Sequence, residues 1–329
     1  MTRSLKISKA LTGSSPSDAS YSKQWAWCTI EVAQAWQRIE EARRQQSIME
    51  QPVTVAIVDW GIKEDHEAFR PGLVARGINV IRKGDDNIED DDGHGTLLAG
   101  TIAGIVDNIP GGGEAISSVR LLPVKFIDAR NPPMSDNAAE AITNAVDAGA
   151  KIINASWDVG LNSPELRKAI EYAEKKEVLV VVAAGNGGGN NSDYPTFPAS
   201  IRADNMISVI ASDKKDKKPG FSNYGDNVDI AAPGLDIIST TPYISASGED
   251  QWPCGSTAFH RYGGTSAAAA HVSGAAALLA SIHPKWTPQE IRACLVQSAD
   301  NIGALESFCP EGRRLNIRRA VERALRPLS

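Results

Sequence analysis

The sequence predicts an α/β fold: a doubly wound, mostly parallel central sheet with helices on both faces, in a single domain. Three observations lead to this prediction. Continuous apolar, β-branched runs recur from residue 53 onward, as in strands that are covered on both faces. Segments with helical spacing of apolar residues lie between those runs. The chain has 329 residues, 42% of them hydrophobic, without a linker-like break, so it can bury a substantial core.

Five runs are predicted to be strands because each is short and mostly apolar. They are VTVAIVDW (53–60), SVRLLPVKFID (118–128), KIINASW (151–157), VLVVVAAGN (178–186) and MISVIAS (206–212). Ligands of such sheets bind outside the carboxyl ends of the strands. We therefore expect functional side chains where these runs end.

Helix signals follow several of the strands. DNAAEAITNAVDAG carries an apolar stripe at helical spacing. In SPELRKAIEYAEKK, Ser163 can cap a helix that has Pro164 at its first position. Thr287 and Glu290 form a capping box at the start of TPQEIRACLVQSA.

The bulk composition argues against several classes of partner. The net charge of −6 speaks against nucleic acid, which calls for clustered Lys and Arg. We expect no membrane contact, because no stretch approaches the roughly 18 apolar residues of a membrane-spanning helix. The first twenty residues show no signal peptide, so we expect a cytoplasmic protein, with secretion from a longer precursor as the alternative. Residues 1–20 are predicted to be a flexible tail before a domain over 21–329.

The four cysteines, Cys28, Cys254, Cys294 and Cys309, have no CxxC or metal-ligand spacing. Buried thiols are the favoured interpretation. A Cys294–Cys309 disulfide is the alternative, although nothing else in the sequence indicates an oxidising compartment.

Four polar residues stand at predicted element ends. Asp59 ends the first strand, and Asn186 ends VLVVVAAGN. His94 follows a glycine and opens the helix in DDGHGTLLAG. Ser266 follows Gly-Gly-Thr and begins the apolar run SAAAAHVSGAAALL, where helix N–H groups favour negative charge. Each has an ordinary alternative: a turn carboxylate, a turn-closing amide, a solvated or capping histidine, and a helix cap.

Together these residues supply the parts of a serine nucleophile site. A serine hydroxyl needs a base, an imidazole base needs a carboxylate, and a tetrahedral intermediate needs a donor for its oxygen. The chain order Asp, His, Ser differs from the Ser, acid, His order of α/β-hydrolases, and their G-x-S-x-G motif is absent. A dinucleotide site is excluded as well, because GHGTLLAG and GNGGGNN both break the G-x-G-x-x-G spacing.

The segments VAIVDWGI, DGHGTLLAG, VVVAAGN, FSNYGDNVDIAAPG and GGTSAAAAHVSGAAALL occur in this order along the chain. On these motifs the chain resembles the subtilisin-like serine proteases, or subtilases, including intracellular members without a full prodomain. The resemblance implies a serine endopeptidase that works through an acyl-enzyme on protein or peptide substrates and requires no cofactor. It also implies a triad of Asp59, His94 and Ser266, with Asn186 and the Ser266 N–H as the oxyanion hole.

The resemblance further implies a set of substrate-contacting residues: Trp60, Ser156, Trp157, Asp158, Ala184 and Gly185. Asp158 stands where the family usually has glycine, on a segment that pairs with the substrate as an added strand. Its carboxylate either attracts Lys or Arg before the cleaved bond or points into solvent.

The segment DDNIEDDD (85–92) contains six carboxylates just before His94. A structural calcium ion is one interpretation, because calcium takes oxygen ligands, and a solvated acidic surface is the other. Such a segment would also attract cationic substrates. The rival to an enzyme is a catalytically weak subtilase-like scaffold that binds peptides or a protein partner.

Overall fold

The computed structural model describes residues 24–48, 51–106, 119–242 and 259–326. The tail predicted over residues 1–20 and Cys254 lie outside these ranges. The strands are β1 (Val53–Asp59), β2 (Ile78–Asn79), β3 (Val119–Lys125), β4 (Ile152–Ala155), β5 (Leu179–Ala183), β6 (Met206–Ser212), β7 (Ile230–Pro233), β8 (Ile237–Thr240), β9 (Phe259–Tyr262), β10 (Asp300–Asn301) and β11 (Arg313–Arg314).

Nine of these strands form one sheet in the order β2–β3–β1–β4–β5–β6–β7–β11–β10. Every neighbouring pair is parallel except β10–β11. Strands β8 and β9 form a separate antiparallel pair. Strand β1 lies between β3 and β4: the chain first adds β2 and β3 on one side of β1 and then crosses to β4 on the other side. Ligands of open parallel sheets bind at such a switch point.

Helices cover both faces of the sheet, as predicted. They are α1 (Trp25–Thr29), α2 (Val32–Arg44), α3 (His94–Val106), α4 (Ser135–Asp147), α5 (Pro164–Lys175), α6 (Thr265–Ile282), α7 (Pro288–Gln297) and α8 (Ile317–Ala324). Successive strand residues face opposite sides: Val55 and Ile57 pack with α3 and α6, whereas Ala56 and Val58 pack with α4 and α5.

The predicted caps are present. The Ser163 side chain accepts a hydrogen bond from the Leu166 N–H at the start of α5. Thr287 and Glu290 form the capping box of α7. Strand β5 ends at Ala183 and not at Asn186 as predicted, because Gly185 takes a positive φ of 106° and turns the chain away from the sheet.

Helix α6 is the central helix of the fold. By length and composition alone it is apolar enough to cross a membrane, contrary to the expectation that no segment is. All of its residues are buried inside the protein, however, as in the core helix of a folded domain.

The described cysteines are all free thiols. Cys28 is exposed, whereas Cys294 and Cys309 are buried and donate to the carbonyl oxygens of Ala320 and Arg313. Burial raises the pKa of Cys294 to about 11 and that of Cys309 to about 12. The structure therefore supports buried thiols at Cys294 and Cys309, without a bridge between them, whereas the exposed Cys28 contradicts the buried-thiol interpretation.

Candidate active site

The candidate residues lie at the carboxyl edge of the central strands. Asp59 is the last residue of β1, Ser156 follows β4 directly, and Asn186 follows β5 after a short turn. Strands β1, β4 and β5 are neighbours in the sheet, which brings their ends together.

Asp59 and His94 are in direct contact. Asp59 is fully buried, and its Oδ1 lies 2.8 Å from Nδ1 of His94 and accepts the Trp60 N–H at 2.9 Å. Its Oδ2 is buried and has no hydrogen-bond partner among the described residues. With Nδ1 facing the carboxylate, Nε2 of His94 is the ring nitrogen left for another group.

The surroundings of His94 favour its charged form. Burial lowers the pKa of the imidazole, but the charge and hydrogen bond of Asp59 raise it, and the carboxylates of Asp92 and Asp90 add to that effect. The net result is a pKa of about 8, above the ordinary 6.5. The imidazole is therefore mostly protonated at neutral pH and becomes a free base as pH rises through about 8.

The start of α3 holds His94 in place. The buried Asp90 carboxylate accepts the Gly93 N–H at 2.7 Å, the Thr96 N–H at 2.7 Å and the Thr96 hydroxyl at 2.6 Å. It thus satisfies the open N–H groups at the N-terminus of α3. A Cβ on Gly95 would lie 2.0 Å from the carbonyl oxygen of Gly61, so this segment rests directly on the chain that follows Asp59.

Ser266 is the second residue of α6 and is 8% exposed. Its hydroxyl donates to the carbonyl oxygen of Ser156 at 3.1 Å and is not hydrogen-bonded to His94. The structure thus joins Asp59 to His94 and places Ser266 beside the end of β4, where its hydroxyl is hydrogen-bonded to Ser156 and not to the imidazole. Hydrogen bonds of this kind are often formed only when substrate binds.

Asn186 and Ser266 present two donors to one gap. Oδ1 of Asn186 accepts the Thr265 N–H at 2.9 Å and the Thr265 hydroxyl at 3.0 Å, which orients the Asn186 amide. A Cβ built on Gly264 would lie 3.6 Å from both Nδ2 of Asn186 and the backbone nitrogen of Ser266. The missing side chain of Gly264 therefore leaves room for an anionic oxygen between two N–H donors.

Comparison with known proteins agrees with this geometry. The chain matches the family described as the subtilase family over residues 50–314. It is 32% identical to thermitase of Thermoactinomyces vulgaris over 308 residues, which is 93% of this chain and 99% of that protein. The chain belongs to the subtilase family. It is a subtilisin-like serine endopeptidase.

Other relatives show the same relationship. This subtilase is 33% identical to Subtilisin Savinase of Lederbergia lenta over 256 residues, covering 78% of this chain and 86% of that protein. Among solved structures, a protease of Pseudoalteromonas arctica PAMC 21717 has a TM-score of 0.75 and 26% identity, with 94% of this chain and 100% of that chain covered. A lanthipeptide protease, at a TM-score of 0.73 and 24% identity over 93% of this chain and 96% of its own, shares the fold.

Three of the six predicted substrate contacts of the subtilase, Trp157, Ala184 and Gly185, are buried in the free protein. The Trp157 side chain is buried, packs on Phe126 with ring centroids 5.0 Å apart, and donates from Nε1 to the Val58 carbonyl oxygen. Ala184 is fully buried and Gly185 is buried as well. All three positions pack inside the protein, and substrate contact at them stays a prediction.

The other three predicted contacts are open to substrate or close to the hydroxyl. Trp60 is half-buried at the edge of the core. Ser156 is buried, and its carbonyl oxygen holds the Ser266 hydroxyl. Asp158 is exposed and has no ion-pair partner among the residues that the structure describes.

The acidic segment 85–92 does not form a metal site. Asp86 pairs with Arg76, Asp90 caps α3, and Asp91 pairs with Lys125. Within the described part of the chain, no group of three or more His, Cys, Asp and Glu side chains is placed to hold a metal ion. Calcium at this segment is therefore not supported, because protein partners already occupy these carboxylates.

The sequence analysis missed several supporting residues. The Thr265 hydroxyl accepts the Gly185 N–H at 3.2 Å and donates to Asn186. The Asn223 backbone N–H donates to the Gly185 carbonyl oxygen at 2.9 Å, and its side chain bonds Asn191 and the Gly189 N–H. These two residues hold the turn that carries Asn186. Both residues lie in motifs that carry the family resemblance, GGTS and FSNYG, and this was the only sign of their role in the sequence.

Proposed function

We propose that this subtilase cleaves peptide bonds with Ser266 as nucleophile and His94 as general base and then general acid. Asp59 orients the imidazole, and Asn186 and the Ser266 N–H stabilise the oxyanion. The observation that carries the proposal is the 2.8 Å contact of Asp59 with His94 Nδ1, which holds the imidazole and leaves Nε2 as the nitrogen that can act as the base.

The chemistry follows from these positions. The Ser266 hydroxyl leaves the Ser156 carbonyl oxygen, gives its proton to Nε2 of His94, and Oγ bonds to the scissile carbonyl carbon. The new oxyanion occupies the gap beside Gly264. His94 then passes the proton to the departing amine as the C–N bond breaks, which leaves an acyl-enzyme. Water, deprotonated by the same imidazole, releases the acid and restores Ser266.

A fluorophosphonate probe tests the nucleophile, because it phosphonylates an activated serine. We expect labelling of the folded protein and its complete loss in Ser266→Ala. Ser135→Ala, a serine at the start of α4 and far along the chain from the site, should label like the unaltered protein. Folded protein that is not labelled at all would instead favour the catalytically weak scaffold.

We also propose a preference for Lys or Arg before the cleaved bond. Two observations support it: Asp158 and Asp92 are exposed, and neither has an ion-pair partner among the described residues. Asp92 also helps to raise the pKa of His94, so its negative charge acts on the site. Carboxylates without partners beside a cleft attract cationic groups.

A peptide library compares the unaltered enzyme with Asp158→Asn and Asp92→Asn. Because exposed ion pairs contribute about 1 kcal/mol or less, we expect each change to reduce the preference for Lys and Arg by about fivefold or less. Glu165→Gln, an exposed acid on α5, is the matched control and should leave the profile unchanged. An identical profile for all four proteins would rule out Asp158 and Asp92 as the source of any preference for Lys and Arg.

A further inference from the structure

Lys125 is a buried cation that the proposed mechanism does not use. It is the last residue of β3, it is paired in register with Asp59 of β1, and it is 5% exposed. Its Nζ donates to the carbonyl oxygen of Glu89 at 2.5 Å and to Oδ2 of Asp91 at 2.8 Å. A buried ammonium is costly unless it is paired and hydrogen-bonded, and here both partners belong to one segment, 89–91.

Segment 89–91 leads directly to His94. At its start, the Ile62 N–H donates to the Ile88 carbonyl oxygen at 2.9 Å, and a Cβ on Gly61 would lie 2.2 Å from that same oxygen. At its end, Asp90 caps α3, whose first residue is His94. The segment that carries the imidazole is thus attached to the chain after Asp59, to the helix, and to Lys125.

We infer that Lys125 is a positioning residue for His94: its ammonium fastens segment 89–91 beside the end of β1 and keeps the imidazole within reach of Asp59. The inference rests on the proposed role of His94 as the base. Without the ammonium, the Glu89 carbonyl oxygen would lose its buried partner and the half-exposed Asp91 carboxylate would lose its link to β3, so the segment would be free to move.

Lys125 also balances the charge around the imidazole. The charged and titratable groups around this part of the site are Asp59 on β1, Glu89, Asp90 and Asp91 on the segment, Asp92 just after it, Lys125 on β3, and Tyr262 on β9, whose pKa is raised by burial and less strongly by Asp59. Removing the ammonium leaves more negative charge near His94, which favours the protonated imidazole. Removing the Asp91 charge has the opposite effect.

The test measures kcat per active site titrated with a fluorophosphonate, so that unfolded protein does not enter the result. For Lys125→Met we expect kcat to fall by about tenfold or more with little change in KM, since small displacements of reacting groups have effects of that size. The acid limb of the kcat/KM profile should move to higher pH. Lys63→Met is the matched control: Lys63 is partly exposed, pairs with Asp65, and should behave like the unaltered enzyme.

Asp91→Asn provides a second variant if Lys125→Met does not fold. It should also lower kcat per titrated site, but its acid limb should move to lower pH. In the double variant the two limb shifts should cancel, and kcat should fall by less than the product of the two single effects. Unaltered kcat per titrated site and an unmoved limb in either single variant would overturn the inference. Failure of the proposed triad is separate, because it would abolish titration of the unaltered enzyme.

Discussion

At the scale of single residues, the protonation of His94 sets the pH at which Ser266 can be activated. The imidazole must be neutral to accept the serine proton, and its pKa is raised to about 8 by Asp59 together with Asp92 and Asp90, in spite of burial. We therefore expect kcat/KM to increase as pH rises through about 8. The measurement is a pH–rate profile with a neutral peptide substrate.

Asp92 gives this prediction a control. Because the Asp92 carboxylate raises the pKa of His94, Asp92→Asn should move the midpoint of the profile to lower pH. A base of this pKa must titrate between about pH 6 and about pH 9. A pH–rate profile that is flat over this range would contradict the assigned base.

Gly264 gives a second prediction at this scale. A methyl group there would occupy the gap between Nδ2 of Asn186 and the backbone nitrogen of Ser266. We expect Gly264→Ala to reduce kcat by about 10²- to 10³-fold, like Asn186→Ala, as is typical for the loss of an oxyanion donor in enzymes of this kind. If both substitutions act on the same oxyanion, kcat of the double variant should fall by far less than the product of the two single effects. Gly303→Ala, with no atom within 4 Å of the added carbon, is the control for a harmless methyl.

At the scale of elements, helices α3 and α5 each have a side chain that caps the N-terminus, but only α3 carries a residue of the proposed triad. Asp90 caps α3, which begins at His94, whereas Ser163 caps α5 on the outer face. The Asp90 carboxylate is buried and accepts several hydrogen bonds, so its loss leaves open N–H groups inside the protein.

We predict that the two cap deletions separate stability from activity. Ser163→Ala should cost about 1 kcal/mol of unfolding free energy and leave kcat per titrated site unchanged. Asp90→Ala should cost about 1–3 kcal/mol and also lower kcat, because the turn that holds His94 loses its anchor. Denaturant unfolding and kinetics on titrated sites provide the measurements. Equal kinetics for both variants would show that the α3 cap is merely structural.

At the scale of the whole molecule, two histidines with opposite pKa shifts limit the pH range of stability. Burial lowers the pKa of His271 in α6 to about 4, although the carbonyl groups of Ala267 and Pro233 oppose this. A histidine that stays neutral when folded destabilises the protein as pH falls below 6.5 toward 4. The raised pKa of His94 acts the other way: its stabilisation is complete below pH 6.5 and is lost as pH rises through about 8.

These two contributions together predict maximal stability near about pH 6.5, below the pH of maximal activity. The effect of His271 alone amounts to about 3 kcal/mol between its two pKa values. His271→Gln should reduce the loss of Tm between pH 6.5 and pH 4 even if it lowers Tm at every pH. The same Tm decrease on acidification in both proteins would contradict the assignment.

The parts of the fold that were predictable have strong local signals. Strand β6 was predicted with its observed bounds, and the caps at Ser163 and Thr287 were read from residue type and spacing. Strands β7, β8 and β9 and helices α1 and α2 were not predicted, since short strands and a helix within a polar stretch have weak periodicity. Four supporting residues were not predicted: Asp90, Lys125, Thr265 and Asn223. Some of their contacts are with segments that are distant in the chain, and others lie within a motif whose residue types do not show the contact.

By itself the sequence determined the family, the α/β architecture and the residues able to form a triad, because apolar runs, caps and long motifs depend only on local order. The tertiary structure alone decided which groups meet. It turned the Ser266 hydroxyl toward Ser156, buried Trp157 and Ala184, and paired Lys125 with the segment before His94. Side-chain burial, pKa and hydrogen-bond choice depend on neighbours that the fold brings from elsewhere, which no spacing along the chain can specify.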